Sequence, residues 1–313
     1  MHMPDIFSES GKRFYSVDQY LKEQFGEKVY RISLNGGMTC PNRDGTKGSR
    51  GCIFCSRRGS GDFAGDAAAS VTSQIEAGRA RLAGKTRCRK FIAYFQAYTN
   101  TYAPVSYLRS LFTEANSHPD IVLLSIATRP DCLSEEILDL LTELNQQKPV
   151  WVEFGLQTIH ERTAGFIRRE FSLECYETGV SLLQKRGIPV ISHLILGLPG
   201  ESREDILQTI DYTAHSPVQG VKLQLLHILR ETDLADYYEK SPFPVPELEE
   251  YCDLVADCLE RLPSHMVIHR ITGDGPRKLL TAPLWSTDKK RVLNTIQKKL
   301  RERGTWQGKR YQP

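Results

Sequence analysis

Short β-branched or aromatic segments alternate with helix-like segments along most of the chain, and this alternation restricts the possible folds more than any other feature. Six candidate strands follow the pattern: 29–34, 90–96, 121–127, 151–154, 190–196 and 221–226. Near-continuous apolar strands separated by helices are typical of a parallel sheet that is covered on both faces. The sequence therefore predicts an α/β fold, either an open doubly wound sheet or a partial barrel.

Three of the intervening helices have recognisable ends. Ser134 and Ser172 precede apolar helical patterns as N-caps, and the second pattern stops at Gly187. Ser202 and Asp205 have the spacing of a capping box. These signals predict one helix after each of the third, fourth and fifth strands.

Polar, glycine-rich segments follow every candidate strand. In chain order they read "NGGMTC", "QAYTNTY", "TRPDC", "GLQT", "GLPGES" and "HILRET". In parallel α/β folds, whether the sheet is open or closed, ligands bind at the carboxyl ends of the strands. We therefore expect the functional residues to lie in these segments.

The composition indicates a soluble, cytoplasmic protein. The chain has 313 residues, 40% of them hydrophobic, but it has no run of 18 apolar residues and no apolar signal-peptide core at its N-terminus. A membrane association is therefore not expected. In a reducing compartment, eight cysteines favour metal ligands, catalytic thiols or buried side chains over disulfides.

The regular alternation ends near Arg230, which divides the chain into three predicted segments. We expect an N-terminal segment (1–28), a core (29–235) and a C-terminal extension (236–313). Residues 289–313 contain nine lysines or arginines and a single acidic residue, whereas the stretch before them is acidic. Such a basic tail is consistent with phosphate attraction or with a solvated helix face.

Three cysteines, Cys40, Cys52 and Cys55, follow the first candidate strand with the spacing C-x11-C-x2-C. Thiolates ligate iron–sulfur clusters, and three of them leave one iron of a four-iron cluster open to a small molecule. A catalytic zinc also keeps an open position, but His or carboxylate ligands usually accompany it. Between residues 39 and 55 only Asp44 offers such a group. A cluster is favoured, and zinc or three unrelated thiols are the alternatives.

The cysteine loop, together with the phrases "NGGMTCPNRDG", "AYFQAYTNTYA", "TRPDC", "GLQT", "HLILGLPGE" and "APLW", resembles the radical S-adenosylmethionine (SAM) superfamily. Its long spacing is similar to that of the branch near the Elongator catalytic subunit, which acts on the tRNA wobble uridine. The resemblance covers roughly residues 13–285. It implies a partial (β/α)6 barrel of the radical SAM type with a C-terminal α/β extension. It also implies a [4Fe-4S] cluster and SAM as cofactors, and an electron donor such as flavodoxin or ferredoxin.

The resemblance assigns roles to residues near the first two strands. The three cysteines ligate the cluster, and Phe54 packs near the adenine of SAM. Ala97, Tyr98 and Thr99 stand where the family has a Gly-Gly-Glu segment that contacts the SAM amino group. Because the carboxylate is missing here, backbone carbonyls and Thr99 are expected to make this contact.

Further SAM contacts are implied after the fourth and fifth strands. Gln157 and Arg169 have the spacing found in oxygen-independent coproporphyrinogen oxidases, where the pair contacts the ribose and the SAM carboxylate. His193 falls at a polar SAM contact, although a core histidine is an equal alternative. Gly197 allows a close backbone approach to adenine, or simply a turn.

Four further residues near the strand ends have open roles. Elongator-like sequences often read Glu-Thr-Arg-Pro-Asp after the third strand, and here Ala127 replaces the Glu. Arg129 and Asp131 of that motif remain, and a structural ion pair is the alternative interpretation. Cys132, like Cys175, either faces the cavity or is a small buried side chain. No catalytic residue, oligomeric state or fate of SAM is predicted.

The sequence indicates the substrate less clearly than it indicates the cofactors. The basic tail favours tRNA, because Lys and Arg attract phosphates and aromatic residues such as Trp306 and Tyr311 can stack on bases. No acetyltransferase segment is recognised, so the most concrete hypothesis is conversion of carboxymethylaminomethyluridine toward aminomethyluridine at the wobble position. The alternatives are a small metabolite or porphyrin-like substrate, or an iron–sulfur sensor without turnover.

Overall fold

A computed structural model describes residues 4, 7, 11–84, 88–273 and 275–313, so part of the predicted N-terminal segment 1–28 lies outside the described residues. The strands are β1 (Tyr30–Leu34), β2 (Phe91–Phe95), β3 (Ile121–Thr128), β4 (Val150–Gln157), β5 (Val190–Leu196), β6 (Gly220–Leu225), β7 (Ile228–Leu229), β8 (Val267–Arg270) and β9 (Leu280–Ala282). The helices are α1 (Val17–Phe25), α2 (Val71–Ala83), α3 (Val105–Ser117), α4 (Glu135–Asn145), α5 (Glu161–Phe166), α6 (Leu173–Lys185), α7 (Arg203–Ala214), α8 (Asp233–Lys240), α9 (Leu248–Arg261) and α10 (Lys289–Glu302).

The main sheet has seven strands in the order β1-β2-β3-β4-β5-β6-β8. The six predicted strands are confirmed with small changes at their ends, and successive strands are neighbours, as expected for repeated strand–helix units. The seventh strand, β8, lies in the segment predicted as the C-terminal extension, and it pairs in parallel with β6 and so extends the main sheet. The short strands β7 and β9 form a separate antiparallel pair.

Contacts between residues divide the chain into two units. The first, called here the cysteine-loop unit, consists of Leu21–Gly155 and Glu170–Ile191. The second, called here the C-terminal unit, consists of Met1–Tyr20, Leu156–Arg169 and Ser192–Pro313. The segments proposed from the sequence, 1–28, 29–235 and 236–313, remain a prediction.

The cysteine-loop unit contains β1 to β3, most of β4 and the helices that connect them. All five residues of β2 are buried, which matches its continuous apolar sequence. The rings of Phe95 on β2 and Phe112 on α3 pack edge to face, with 5.0 Å between their centroids. The predicted cap is present at α4, because the Ser134 hydroxyl accepts a hydrogen bond from the amide of Ile137 at 3.3 Å.

The C-terminal unit contains β6 to β9 and the helices α5 and α7 to α10. The predicted capping box is present at α7, where Ser202 and Asp205 each bond the other's amide. Gln307 joins the two termini, since its side-chain oxygen accepts from the amide of Tyr15 at 2.8 Å and its Nε2 donates to the carbonyl of Pro263 at 2.6 Å. No helix among the described residues is both long and apolar enough to span a bilayer.

The acidic and basic stretches of the C-terminal segment bind each other. Lys299 on α10 lies 3.0 Å from Asp253 on α9, and Arg303 lies 2.7 Å from Asp257. Water and salt screen these partly exposed pairs, so they contribute little to stability. The basic residues of α10 are therefore only partly available to a nucleic acid.

Trp306 corrects one expectation from the sequence. Its side chain is 8% exposed and belongs to a core cluster with Phe7, Tyr15 and Val267. A ring in this position has little surface on which a base could stack, so the proposed stacking role of Trp306 is wrong. Tyr311 remains partly exposed, and its ring lies 5.5 Å from that of His215.

Candidate functional site

The three cysteines lie in the loop between β1 and α2, and all three side chains are partly exposed. Backbone hydrogen bonds hold this loop in tight turns. The amide of Arg43 donates to the carbonyl of Cys40 at 2.8 Å, and the amide of Cys55 donates to that of Cys52 at 3.0 Å. The loop therefore presents its thiols without help from regular secondary structure. Phe54, between the last two cysteines, is half-buried.

Arg43 holds the far end of this loop in place. Its Nη2 atom donates to the carbonyls of Cys55 at 3.1 Å and of Ser56 at 2.8 Å. A Cβ atom at Gly51 would lie 2.8 Å from the guanidinium, and Gly51 also has a φ of +75°. Glycine is required there because a side chain would collide with Arg43 and strain the backbone. Sequence reasoning had given Arg43 no specific role.

The protein groups around Cys52 disfavour its thiolate form. Burial and the nearby Cys55 raise the pKa of Cys52 to about 12, and Cys40 acts in the same direction. Arg129 opposes this shift, and the Asn42 amide donates a weak hydrogen bond to the Cys52 sulfur at 3.7 Å. A nearby positive centre would therefore favour the thiolate form of Cys52.

A [4Fe-4S] cluster fits this donor set. Iron supplies the positive charge that stabilises neighbouring thiolates, and each cysteine binds a different iron, so the three sulfurs need not converge on one point. Among the residues that the structure describes, no three His, Cys, Asp or Glu side chains are arranged to hold a single metal ion. Cys40, Cys52 and Cys55 are thus the residues that would hold the cluster.

Arg129 and Asp131 lie next to the cysteine loop, at the end of β3. They form the ion pair that the sequence left as an alternative, with 2.8 Å between Nη2 and Oδ2, and Lys47 from the loop reaches Asp131 at 2.7 Å. The pKa of Asp131 is lowered because Arg129 and Lys47 outweigh the effect of its burial. Arg129 also stacks on the ring of Phe171 at 5.0 Å. Sequence reasoning missed the proximity of Arg129 to the cysteines.

Residues at the end of β2 pack directly on the cysteine loop. Tyr98 has a φ of +60°, and its hydroxyl donates to the carbonyl of Arg57 at 2.6 Å. The amide of Thr99 donates to the carbonyl of Thr39 at 3.2 Å. The side chains of Ala97 and Thr99 are only 1% and 2% exposed, so a SAM contact here would come mainly from the backbone. Their assignment to the SAM amino group stays a prediction.

Gln157 ends β4 in a conformation that is unusual for its residue type. Its φ is +62°, and its buried side-chain oxygen has no hydrogen-bond partner among the described residues. A strained backbone and an unpaired buried oxygen both cost free energy, and such features concentrate at functional sites. This geometry is consistent with the ribose contact, which stays a prediction.

Arg169 lies in the same C-terminal unit but is occupied by protein groups. It is 1% exposed, and its Nη1 atom donates to the carbonyls of Leu156 at 3.1 Å and Thr158 at 2.6 Å. Its Nη2 atom pairs with Glu161 at 3.0 Å. These bonds fix the carboxyl end of β4. The predicted contact between Arg169 and the SAM carboxylate stays a prediction.

The remaining two predicted SAM contacts lie on β5 and directly after it, in the C-terminal unit. His193 on β5 is half-buried, and Gly197 follows that strand with a φ of +91°. A Cβ atom at Gly197 would meet only Pro246, at 3.7 Å, so its backbone conformation explains the glycine better than crowding does. Both residues remain candidates.

Two of the five cysteines outside the predicted ligand set, Cys132 and Cys175, differ in exposure. Cys132 is 9% exposed, and burial raises the pKa of its thiol to about 12. Its sulfur lies 3.8 Å from Asp131. Cys175 is partly exposed in the first turn of α6. Cys132 is therefore a small buried side chain rather than a reactive thiol.

Comparison with known proteins identifies relatives along the whole chain. The Radical SAM superfamily matches residues 44–213, and the Radical_SAM C-terminal domain matches residues 218–302. The uncharacterized protein YtqA of Bacillus subtilis (strain 168) is 47% identical over 309 residues, which cover 99% of this chain and 96% of YtqA. The tRNA uridine(34) acetyltransferase of Methanocaldococcus jannaschii is 25% identical over 166 residues, which cover 51% of this chain and 29% of the acetyltransferase.

One solved structure has the same fold over most of its length. The archaeal Elp3 of Methanocaldococcus infernus, with its N-terminus deleted, superposes with a TM-score of 0.66 and 18% identity. The superposition covers 89% of this chain and 64% of that chain. The predicted α/β partial barrel is confirmed, with β8 as an additional strand.

Proposed function

This chain belongs to the radical SAM superfamily, and from that premise we propose that it remodels the side chain of the wobble uridine in tRNA. It is a radical SAM enzyme, and its cofactors are a [4Fe-4S] cluster and SAM. When bound, they supply a 5′-deoxyadenosyl radical that takes a hydrogen atom from the substrate. The proposal concerns which substrate supplies that hydrogen.

The protein's own residues bind and orient the reacting groups. Cys40, Cys52 and Cys55 would hold the cluster, while Arg43 fixes the turn that carries Cys55 through its two carbonyl contacts. Arg129 places a positive charge near Cys40 and Cys52, where it offsets the negative charge of the thiolates. These contacts would hold the cysteine loop in the form that binds the cluster.

The similarity to a tRNA uridine(34) acetyltransferase is the single observation that carries the tRNA proposal. That similarity spans 51% of this chain and 29% of the acetyltransferase. The most concrete version is conversion of carboxymethylaminomethyluridine toward aminomethyluridine. Abstraction of one hydrogen atom from the carboxymethyl carbon, followed by loss of one electron to the oxidised cluster, would give an iminium. Water would then break the C–N bond and release the two-carbon unit as an oxoacid, with SAM as the oxidant overall. The exposed basic residues Lys290, Arg291 and Arg301 support the tRNA proposal, because they are available for phosphate contacts.

The test is anaerobic reconstitution with iron and sulfide, followed by reduction and addition of SAM. We expect 5′-deoxyadenosine to form, and its amount to rise with bulk tRNA from cells that lack this protein. Nucleoside analysis of that tRNA should then show loss of the carboxymethyl group. Formation without any effect of tRNA would contradict the tRNA substrate and favour a small metabolite.

Two cysteine variants control the experiment. Cys52→Ser should lose cluster absorbance and deoxyadenosine formation together, because the thiol is a predicted ligand. Cys132→Ala removes a buried thiol outside the ligand set and should retain both. A cluster-loaded wild type that forms no deoxyadenosine would instead support the sensor alternative.

A further inference from the structure

The turn after Cys55 has an unusual backbone conformation. Ser60, between Gly59 and Gly61, has a φ of +59°, which residues other than glycine seldom adopt. Gly59 has a φ of +60°, so two successive residues lie in the left-handed region. Glycine adopts this conformation readily, whereas in serine it costs free energy. Strain of this kind persists only where the surrounding structure imposes it, and it concentrates at functional sites.

Tyr98, three residues beyond β2, holds the turn from one side. Its amide donates to the carbonyl of Gly59 at 3.0 Å, and its hydroxyl donates to the carbonyl of Arg57 at 2.6 Å. A Cβ atom at Gly59 would lie 2.3 Å from the Tyr98 ring, so the backbone passes the ring in close contact. Two hydrogen bonds and this packing fix the residues that precede Ser60.

The residues on the other side of Ser60 are fixed as well. A Cβ atom at Gly61 would lie 2.6 Å from the Cβ atom of Ala97. The hydroxyl of Ser56, which is buried, donates to the carboxylate of Asp62 at 2.9 Å and joins the two ends of the turn. The position of the Ser60 side chain is therefore set by its surroundings and not by the conformational preference of serine.

Arg43 connects this turn with Cys55. Its guanidinium lies 5.7 Å from the centre of the Tyr98 ring. Its Nη2 atom donates to the carbonyls of Cys55 at 3.1 Å and of Ser56 at 2.8 Å. The same side chain thus contacts the backbone of Cys55 and the ring that holds the turn. Cys55 and Ser60 are therefore fixed relative to each other.

The Ser60 hydroxyl reaches the sulfur of Cys55. The Oγ and Sγ atoms lie 3.5 Å apart and form a hydrogen bond that either of them could donate. A cysteine that ligates iron is a thiolate and has no proton to donate. With Cys55 as a cluster ligand, the hydroxyl would be the donor and the sulfur the acceptor.

We propose that Ser60 is a positioning residue that tunes the cluster through Cys55, by donating a hydrogen bond to the ligand sulfur. Such a bond stabilises negative charge on the sulfur, and a reduced cluster carries more negative charge than an oxidised one. The hydroxyl therefore raises the reduction potential of the cluster. The inference depends on the cluster and is independent of the proposed tRNA substrate.

The test compares three variants of the reconstituted full-length protein with wild type. Ser60→Ala removes the hydroxyl and keeps the strained backbone, Ser60→Gly removes both, and Ser49→Ala removes another exposed hydroxyl of the cysteine loop. Reduction potentials are measured without SAM or tRNA, by redox titration followed by electron paramagnetic resonance. Both Ser60 variants should shift the one-electron equilibrium about threefold toward the oxidised cluster, which corresponds to about 30 mV. The shift is modest because Ser60 is exposed, so water can replace part of the bond.

Stability measurements separate the hydrogen bond from the backbone strain. Ser60→Gly should unfold at a higher urea concentration than Ser60→Ala, because glycine adopts a positive φ without strain. The two variants should nevertheless have the same lowered potential. If Ser60 only shaped the turn, Ser60→Gly, which fits the turn better, would keep the potential of wild type.

Three results would overturn the inference. They are an unchanged potential in Ser60→Ala, a wild-type potential in Ser60→Gly, or an equal shift in Ser49→Ala. Because no tRNA is present, the outcome does not depend on the substrate. A lowered potential in both Ser60 variants, together with deoxyadenosine formation that ignores tRNA, would support this inference and contradict only the proposed tRNA substrate.

Discussion

The guanidinium of Arg129 and the carboxylate of Asp131 bind each other at two points beside the cysteine loop, with 2.9 Å from Nε to Oδ1 and 2.8 Å from Nη2 to Oδ2. The Arg129 Nη2 atom also donates to the carbonyl of Glu170 at 3.3 Å. Because Arg129 is only 8% exposed, these contacts leave its side chain little freedom. A positive charge is thereby held near Cys40 and Cys52.

Replacing Arg129 with Gln should lower the reduction potential of the cluster. A reduced cluster carries more negative charge than an oxidised one, so a nearby cation favours reduction and its loss disfavours it. We expect a decrease of about 50 mV, close to a tenfold change in a one-electron equilibrium. The measurement is a redox titration followed by electron paramagnetic resonance. Arg129→Lys, which keeps the charge, should shift the potential less, and equal potentials in all three proteins would contradict the role.

Gln157 offers a test that separates backbone strain from ligand binding. Gln157→Gly should stabilise the fold by about 1 kcal/mol, because glycine adopts a positive φ without strain. The same change should raise the KM for SAM about tenfold if the amide contacts SAM, as expected for one lost hydrogen bond. Urea unfolding and deoxyadenosine formation measure the two effects.

Gln157→Asn is the matched variant, since asparagine tolerates this backbone conformation but has a shorter side chain. It should leave stability nearly unchanged and still raise the KM. Unchanged KM values in both variants would show that Gln157 does not contact SAM.

Local sequence patterns predicted most of the fold. The strands follow from short apolar runs, and the caps at Ser134 and Ser202 follow from residues three positions apart, so each depends on neighbours in the chain. The pairing of β8 with β6 was not predictable in this way. Its four residues carry no signal that distinguishes a seventh sheet strand from a strand of the extension.

The sequence predicted only part of the candidate site, because the rest depends on contacts between residues that are far apart in the chain. The cysteine spacing is visible in the sequence, but the contact of Arg43 with the carbonyl of Ser56 joins residues 13 positions apart through an irregular loop. The positive charge of the basic tail can also be seen in the sequence. Its ion pairs with α9 cannot, because they depend on how α9 and α10 pack against each other. Lys299 and Asp253, for example, are 46 residues apart. Long-range contacts of this kind have no periodic signature.

Trp306 should contribute to stability and not to RNA binding. Its ring packs with Phe7, Tyr15 and Val267, so Trp306→Ala should destabilise the protein by about 3–5 kcal/mol. Trp306→Phe fills more of the space and should cost less. If the ring stacked on a base, Trp306→Phe or Trp306→Ala would also weaken tRNA binding by about 1–3 kcal/mol. We expect Trp306→Phe to bind tRNA as wild type does, measured by fluorescence anisotropy.

Glu201 should make the free energy of unfolding decrease as the pH rises. A carboxylate whose pKa is lowered in the folded state has the opposite effect. Burial raises its pKa above the ordinary value of 4.5, and the hydroxyls of Thr158 and Thr163 only partly oppose this. The folded state therefore binds the proton more tightly than the unfolded state does. The stability that this group contributes is fully present below pH 4.5 and is lost as the pH rises through the folded-state pKa.

Glu201→Gln resembles the protonated carboxyl at every pH, so it should be more stable than wild type at pH 8. The difference should shrink as the pH falls toward 4.5, where wild type is itself protonated. Urea unfolding across this range measures it. Glu204→Gln, which removes an exposed carboxylate from the first turn of α7, should show no such gain at pH 8. A stability difference that is the same at both ends of the range would mean that burial does not govern the titration of Glu201.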